Sequence, residues 1–393
     1  MRLLSSFFWK RVRRFIARFP HPPVYTFFTI LLFVILSVVN RSEYMGRLSA
    51  VKSTSTQKSP SEIQSTWVSD QISTLTHEQK IGQMMIWGIG EPISSESAVV
   101  WENRSPGGFL IRGMHTKDQI ASISSSIDSL RLPIKPFIAI DEEGGPVKRM
   151  TEDSNPGAWA LRQSSDEQIC NAWNQTNTLL TQAGISLNFG VIGDIGWKKD
   201  VYILPRTFSS SPSGTLKFVS LALQCHHDVI PVVKHFPGHG RTVVNSHFGI
   251  PVITVSETEW LISDAVPFKG AIERDVPAIM MGHLIFDKIA SEPASLSPVW
   301  QKKLREMGFK GLTITDNIGM LLASGYTLNA SAEKSYIAGN DMILISSDFM
   351  NPDDILSHLY RVASSSSVLT VPIDERIERI LHRKYLLQSQ LVQ

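Results

Sequence analysis

Several protein classes are excluded by what this sequence does not contain. It has two cysteines in 393 residues, Cys170 and Cys225, too few for a disulfide framework or a cysteine-rich zinc module. They could pair with each other, but each lies in a stretch with helical spacing, and the expected state is two buried free thiols. No Gly-x-Gly-x-x-Gly follows the first apolar run, which argues against a dinucleotide-binding fold. No Gly-x-Ser-x-Gly elbow offers a nucleophile for a Ser-His-Asp hydrolase. There is no basic face interleaved with aromatic residues, so no nucleic-acid surface is expected.

The formal net charge of +2 is unevenly placed. Residues 1–22 contain Arg2, Lys10, Arg11, Arg13, Arg14 and Arg18 and no acid, and the remaining chain has 32 basic against 36 acidic residues. Behind that basic cluster, Val24–Val39 runs for 16 residues without a charge. With its uncharged flanks it reaches the roughly 20 residues of a membrane span. The expected division is a basic cytoplasmic tail over 1–22, a transmembrane anchor over 23–40 and, by the positive-inside rule, everything after it outside the cytoplasm. Ser37-Val38-Val39-Asn40 has no small-x-small cleavage pattern, which favours an uncleaved anchor over a signal peptide. Residues 41–70, rich in Ser, Thr, Lys and Gln, read as a flexible tether.

From residue 71 to 393 the pattern is regular. Short apolar runs recur at Gln83–Ile89, Gly107–Ile111, Pro136–Ile140, Ser186–Phe189, Val229–Val233, Pro277–Met281, Gly311–Thr315 and Asp341–Ile345. Segments with helical spacing lie between most of them, among them Asp118–Leu130, Asp166–Ala183 and Glu257–Glu273, and Ile373–Gln388 follows the last. Eight strands alternating with helices indicate an α/β fold, a single (β/α)8 TIM-type barrel. Polar residues stand at the strand exits: Asp141, Asn188 and Asp194, Lys234 with His235, His283, and Asp316. In such a barrel they share the carboxyl-end face, where active sites form.

Among these the stretch Lys234-His235-Phe236-Pro237-Gly238-His239-Gly240, with Asn245-Ser246-His247 beyond it, gathers three histidines and a lysine into 14 positions. His235 and His239 are four apart, but zinc ligation at that spacing needs a helix, and Phe236-Pro237-Gly238 breaks one. No metal or other cofactor is expected. Asp316 is either a cap for the following helix or a nucleophile facing the barrel mouth. Asp141 opens Asp-Glu-Glu-Gly-Gly-Pro-Val-Lys-Arg, where the glycine pair would let backbone approach a ligand and Arg149 would return toward the site. Carboxylates beside lysine, arginine and histidine suit a small polyhydroxylated ligand, through paired hydrogen bonds to vicinal hydroxyls.

Taken together, Leu75-Thr76-x-Glu78-x-Lys80-Ile81-Gly82-Gln83, Asp141-x-Glu143-Gly144-Gly145-x-Val147-x-Arg149, the Lys-His-Phe-Pro-Gly-His-Gly string, Ser246-His247, Thr315-Asp316 and Ala338-Gly339-Asn340-Asp341-Met342 resemble a known family. It is the β-N-acetylhexosaminidases of glycoside hydrolase family three, the NagZ-like enzymes of peptidoglycan turnover, over roughly residues 75–350. The resemblance implies a retaining, exo-acting, two-step mechanism on terminal N-acetyl-β-glucosaminides. Asp316 would be the nucleophile and His247, on a mobile loop, the acid/base. Asp141, Arg149, Arg206, Lys234 and His235 would hold the sugar.

The chain departs from the family at one telling position. The loop motif Asp-Ser-His is here Asn245-Ser246-His247. Asparagine can orient the imidazole but supplies no negative charge for the imidazolium. A weakened enzyme, an altered one (with phosphate as acceptor, for example) or a carbohydrate-binding pseudoenzyme are the alternatives this substitution raises.

Overall fold

The computed structural model describes residues 59–198, 202–226, 228–347, 350–365 and 371–390. The basic tail and apolar segment of residues 1–40 lie outside the described residues; among those described, no helix is long and apolar enough to cross a membrane. The chain divides into two compact units, Met1–Ile63 and Gln64–Gln393, and the architecture below is that of the second.

Eight parallel strands follow one another around a barrel: β1 (Met85–Ile89), β2 (Gly108–Ile111), β3 (Phe137–Ile140), β4 (Leu187–Ile192), β5 (Ile230–Phe236), β6 (Ala278–Met281), β7 (Leu312–Thr315) and β8 (Ile343–Ile345). From β1 to β7 each pairs with the next in sequence, and β8 pairs with β1 through Met85 opposite Ile343. Between β7 and β8 a bridge at Ile314 and Met342 completes the near-closure, with the Thr315 amide donating to the Met342 carbonyl at 3.0 Å. All eight apolar runs read from the sequence are therefore strands, displaced by a few residues at their ends. Their residues are buried almost without exception, as expected for parallel strands covered on both faces. A short parallel pair, Val252–Ile253 with Ile285–Phe286, is added outside the barrel.

The helices start where local chemistry places them. Thr76, Thr116 and Ser165 each accept from the amide three residues on, and the glutamine at that position returns a bond to the cap's amide, a reciprocal capping box. The segment Glu257–Glu273 is two helices, Glu257–Leu261 and Ala265–Ile272. Pro267 is the reason: proline lacks the amide that a helix interior requires and is tolerated in a first turn. The intervening Asp264 is used elsewhere, accepting from Trp197 Nε1 at 2.8 Å and Arg241 Nε at 2.6 Å.

The final helix, Ile373–Gln390, closes the amino-terminal end of the barrel. Arg379 donates to Asp341 just before β8, and Lys384 donates to Gln83 just before β1. Asp341 also receives Arg305 and the Thr313 amide. The Gly-Asn-Asp-Met motif thus ties the end of the barrel opposite the active site, where residues serve stability.

Three expectations are corrected. The tether does not extend to residue 70, because a helix spans Pro60–Thr74, with Val68 and Leu75 buried and the Trp67 ring 5.4 Å from that of Tyr385. The apolar residues needed for that packing are few, and polar neighbours conceal them. Cys170 and Cys225 are not free thiols; they form a disulfide. Cys170 lies on helix Asp166–Gln182 and Cys225 closes helix Pro212–Gln224, which pack together and bring the two Cα atoms to 5.3 Å. A separation of 55 positions hides that adjacency in the sequence. Replacing both by serine frees a large loop in the unfolded chain and should cost about 4 kcal/mol, lowering Tm by roughly 5–10 °C. Thermal unfolding with and without reductant measures this; an unchanged Tm would mean that the bridge adds nothing to stability.

The third correction concerns Gly144 and Gly145. Both have positive φ, 77° and 59°, which favours glycine. A Cβ on Gly144 would meet Asn155, and one on Gly145 would lie 2.8 Å from the Pro156 carbonyl oxygen. The pair accommodates protein backbone and not a ligand.

Candidate active site

The strand exits converge on a cavity of about 510 Å³ at the carboxyl end of the barrel. Asp141, Arg149, Arg206, Lys234, His235, His247 and Asp316 line it, joined by Glu143 and Tyr202. Each of these except Tyr202 and Glu143 was assigned from the sequence. Asn245 lies behind His247 and does not line the cavity.

The floor is an ion cluster. Lys234 Nζ lies 2.8 Å from Asp141 Oδ1 and 2.6 Å from Glu143 Oε1. Arg206 forks onto Glu143, Nε to Oε2 at 2.9 Å and Nη2 to Oε1 at 2.8 Å. Arg149 sits farther out, 3.9 Å from Asp141. Burial pushes the Glu143 carboxyl up, but Arg206 and Lys234 beside it outweigh this and hold it at about 2. Burial pulls Lys234 down, and Asp141 and Glu143 more than restore it. Glu143 and Lys234 are therefore both charged in the neutral range, and the cluster presents Asp141 and the lysine toward the cavity. The motif contains Glu143 but gives it no role of its own, although it stands two residues past Asp141, the spacing that returns a side chain to the same face of an extended segment.

Replacing Glu143 with glutamine leaves Arg206 and Lys234 partly uncompensated in a buried site and should cost about 3 kcal/mol, read by urea denaturation. A loss below about 1 kcal/mol would contradict the account. The pH dependence has a definite sign. The folded pKa is depressed, so the carboxylate's contribution is complete above its unfolded value of about 4.3. It is lost as pH falls toward the folded value of about 2.

A second line of contacts fixes the histidines. Asp194 is fully buried; Oδ2 is 2.7 Å from His235 Nδ1, and Oδ1 accepts from the His239 amide at 2.7 Å. Burial raises its carboxyl, while His235 and then His239 lower it further, to about 2. With Nδ1 held by a carboxylate, His235 turns Nε2 inward, 3.4 Å from Arg206 Nη2. The peptide bonds Lys234–His235 and Phe236–Pro237 are cis. His239 Nε2 pairs with Ser246 Oγ at 3.0 Å. His235 and His239 are therefore both engaged, with their rings 5.8 Å apart and at a steep angle.

Asp316 leaves β7 with its amide bonded to the Met281 carbonyl, 2.8 Å away. It is not the helix cap: Asn317 is, its Oδ1 accepting from Gly319 at the start of the turn Ile318–Ser324. Burial raises the Asp316 carboxyl, but His283, His235 and the Asn317 amide together bring it below the usual carboxylate range. An ionised carboxylate at the mouth of a closed barrel has the charge state of a nucleophile. His283 is not part of the cavity. Its ring spans Ser295 Oγ at 2.7 Å and the Asn317 carbonyl at 2.9 Å, fixing the turn beside Asp316.

His247 stands on the loop after β5. The base of that loop is pinned by Trp260 Nε1 donating to the Pro237 carbonyl at 3.0 Å and by Arg241 on Asp264. A Cβ on Gly240 would overlap the Ile195 carbonyl, so no other residue fits there. Farther out, Val243 and Phe248 are 69% and 81% exposed. Asn245 Oδ1 accepts from both the amide and Nδ1 of His247, each at 3.0 Å. A carboxamide oxygen only accepts, so Nδ1 bears the proton and Nε2 is free for proton transfer. Desolvation lowers the His247 pKa, and the charge of Asp316 opposes this only in part.

Residues 76–383 match the family described as Glycosyl hydrolase family 3 N terminal domain. The chain belongs to glycosyl hydrolase family 3. It is a glycoside hydrolase. A protein named beta-hexosaminidase from Stenotrophomonas maltophilia (strain K279a) is 31% identical over 249 residues, which cover 60% of this chain and 73% of that protein. A beta-hexosaminidase from Alkalilimnicola ehrlichii is 28% identical over 296 residues, 71% of this chain and 84% of that one. Among solved structures, a glycoside hydrolase family 3 beta-N-acetylglucosaminidase from Paenibacillus sp. str. FPU-7 superposes with a TM-score of 0.73 at 27% identity. The superposition covers 81% of this chain but 63% of that one.

Proposed function

We propose that this glycoside hydrolase is a retaining, exo-acting β-N-acetylglucosaminidase acting on terminal N-acetyl-β-glucosaminides, with peptidoglycan fragments as its substrates. One observation carries the reading: an ionised Asp316 and a histidine with a free Nε2 line the same cavity, above a fixed cluster of Lys234, Asp141, Glu143 and Arg206. The names of the similar proteins support the N-acetyl sugar.

In the first step Asp316 attacks the anomeric carbon, and His247 Nε2–H protonates the departing oxygen. In the second, Nε2 takes a proton from water, and the oxygen displaces Asp316. Asp141, Arg149, Arg206, Lys234 and His235 hold the sugar's hydroxyls and N-acetyl group, with Glu143 keeping Lys234 and Arg206 in place. The test is release of p-nitrophenol from its N-acetyl-β-glucosaminide beside the plain β-glucoside. The first should turn over at least about tenfold faster; the reverse order would point to another β-glycoside.

Asn245 favours a second reading, an enzyme slowed or diverted by an uncharged loop partner, or at the limit a sugar-binding protein. Trapping of Asp316 by a fluorinated glycoside separates these, since a dead site forms no covalent adduct. For location, the basic cluster before the apolar stretch of residues 23–40 supports an anchored protein with its catalytic unit outside the cytoplasm. The Cys170–Cys225 disulfide is in keeping with an oxidising compartment. Fractionation with protease accessibility tests this; a catalytic unit protected in intact cells would contradict it.

A further inference from the structure

One aromatic side chain in the cavity is required neither by the barrel core nor by the ion cluster. Tyr202 enters from the segment between β4 and the turn Leu204–Arg206. Its ring meets the His247 ring at 5.2 Å and 80°, the His239 ring at 6.0 Å and 61°, and lies 4.9 Å from the Arg206 guanidinium carbon. The residue thus joins the floor of the site to a loop that springs from a different strand. The loop is held at its base and at Ser246, which pairs with His239, but Val243 and Phe248 on either side of His247 face solvent, so the imidazole itself gains from a contact of its own. Asn245 contributes an oriented dipole and no charge to the imidazole. At 5.2 Å and 80° the two rings are in the steep edge-to-face geometry that aromatic pairs prefer.

We propose that Tyr202 is a positioning residue for proton transfer, holding the His247 imidazole at the cavity mouth and replacing part of the anchorage that a carboxylate at position 245 would provide. The proposal rests on His247 being the acid/base. Misplacing a catalytic group by an ångström costs about 10²-fold in rate, and loss of an acid shows most with leaving groups that need a proton.

The experiment measures kcat/KM of the full chain on two substrates, the 2,4-dinitrophenyl N-acetyl-β-glucosaminide, whose leaving group departs unprotonated, and N,N′-diacetylchitobiose, whose leaving group does not. Tyr202→Leu should lower the disaccharide rate about 30- to 100-fold and the aryl rate less than about threefold. Tyr202→Phe, which keeps the ring, should restore the disaccharide rate to within about threefold of wild type. Equal losses on both substrates, or no loss on either, would overturn the proposal. His247→Ala run in parallel should show the same selectivity, only larger. If it shows none, the acid/base assignment itself fails, an outcome distinct from a Tyr202→Leu that leaves a leaving-group-dependent His247 untouched.

Discussion

Asp316→Ala should abolish turnover of an aryl N-acetyl-β-glucosaminide by about 10⁴-fold or more, with little change in stability. Under the proposed mechanism the rate is lost because covalent catalysis has no second carboxylate to fall back on. Asp141 is bound to Lys234 and Glu143 to Arg206 and Lys234. Removing a nucleophile that acts as one unit with its acid/base costs on the order of 10⁴ to 10⁶ in kcat. The effect on stability is the smaller one, because burial offsets much of what His283, His235 and the Asn317 amide contribute, and the lowered carboxyl pKa leaves only a modest net stabilisation to lose. Steady-state rates and urea denaturation on the same preparation check both halves. A variant that retains more than about one per cent of the rate would place the nucleophile elsewhere.

Asn245→Asp should raise the rate, by about tenfold to a hundredfold. Nδ1–H of His247 already points at the side-chain oxygen of residue 245 from 3.0 Å, so the substitution adds charge without asking for new geometry. A carboxylate within about 4–6 Å raises the pKa of a cation by about 1–3 units. The His247 pKa is now depressed, first by desolvation. The acid form falls away as pH rises through that depressed pKa, so the alkaline limb of the wild-type profile lies below the ordinary histidine value of about 6.5. In Asn245→Asp the imidazolium persists to higher pH, and that limb moves upward. The loss that follows removal of such a carboxylate from a Ser-His-Asp triad is about 10⁴-fold. The effect here is smaller because the loop is solvent-facing. No gain in rate and no shift of the limb would mean that the asparagine is not limiting.

Much of the architecture was legible because burial on both faces makes parallel strands continuous apolar runs, and all eight stand out from their helices in this way. The site residues were legible for a related reason. Polar side chains directly after such runs have one place to go in a barrel, which located Asp141, Lys234, His235 and Asp316. What could not be read depends on contacts between distant segments. Tyr202 looks like an ordinary apolar-segment residue until the loop bearing His247 is laid beside it. Glu143 shares its motif with Glu142, and only the fold shows which of the two meets Arg206. Glu142 instead accepts from the Arg149 and Met150 amides. The Cys170–Cys225 pairing depends on two helices packing side by side, and the glycine pair on a return of the chain at Asn155 and Pro156. By contrast, the break at Pro267 was available from the sequence, since the rule against proline in a helix interior is local.

The most direct test of the account is covalent trapping. A fluorinated N-acetyl-β-glucosaminide bearing a good leaving group, incubated with the full chain and followed by proteolysis and mass analysis, should label one carboxylate, in the peptide Leu312-Thr313-Ile314-Thr315-Asp316. A label on Asp316 that disappears in Asp316→Ala is the predicted result. A label on Asp141 or Glu143, or turnover that proceeds with no adduct on any carboxylate, would contradict the mechanism.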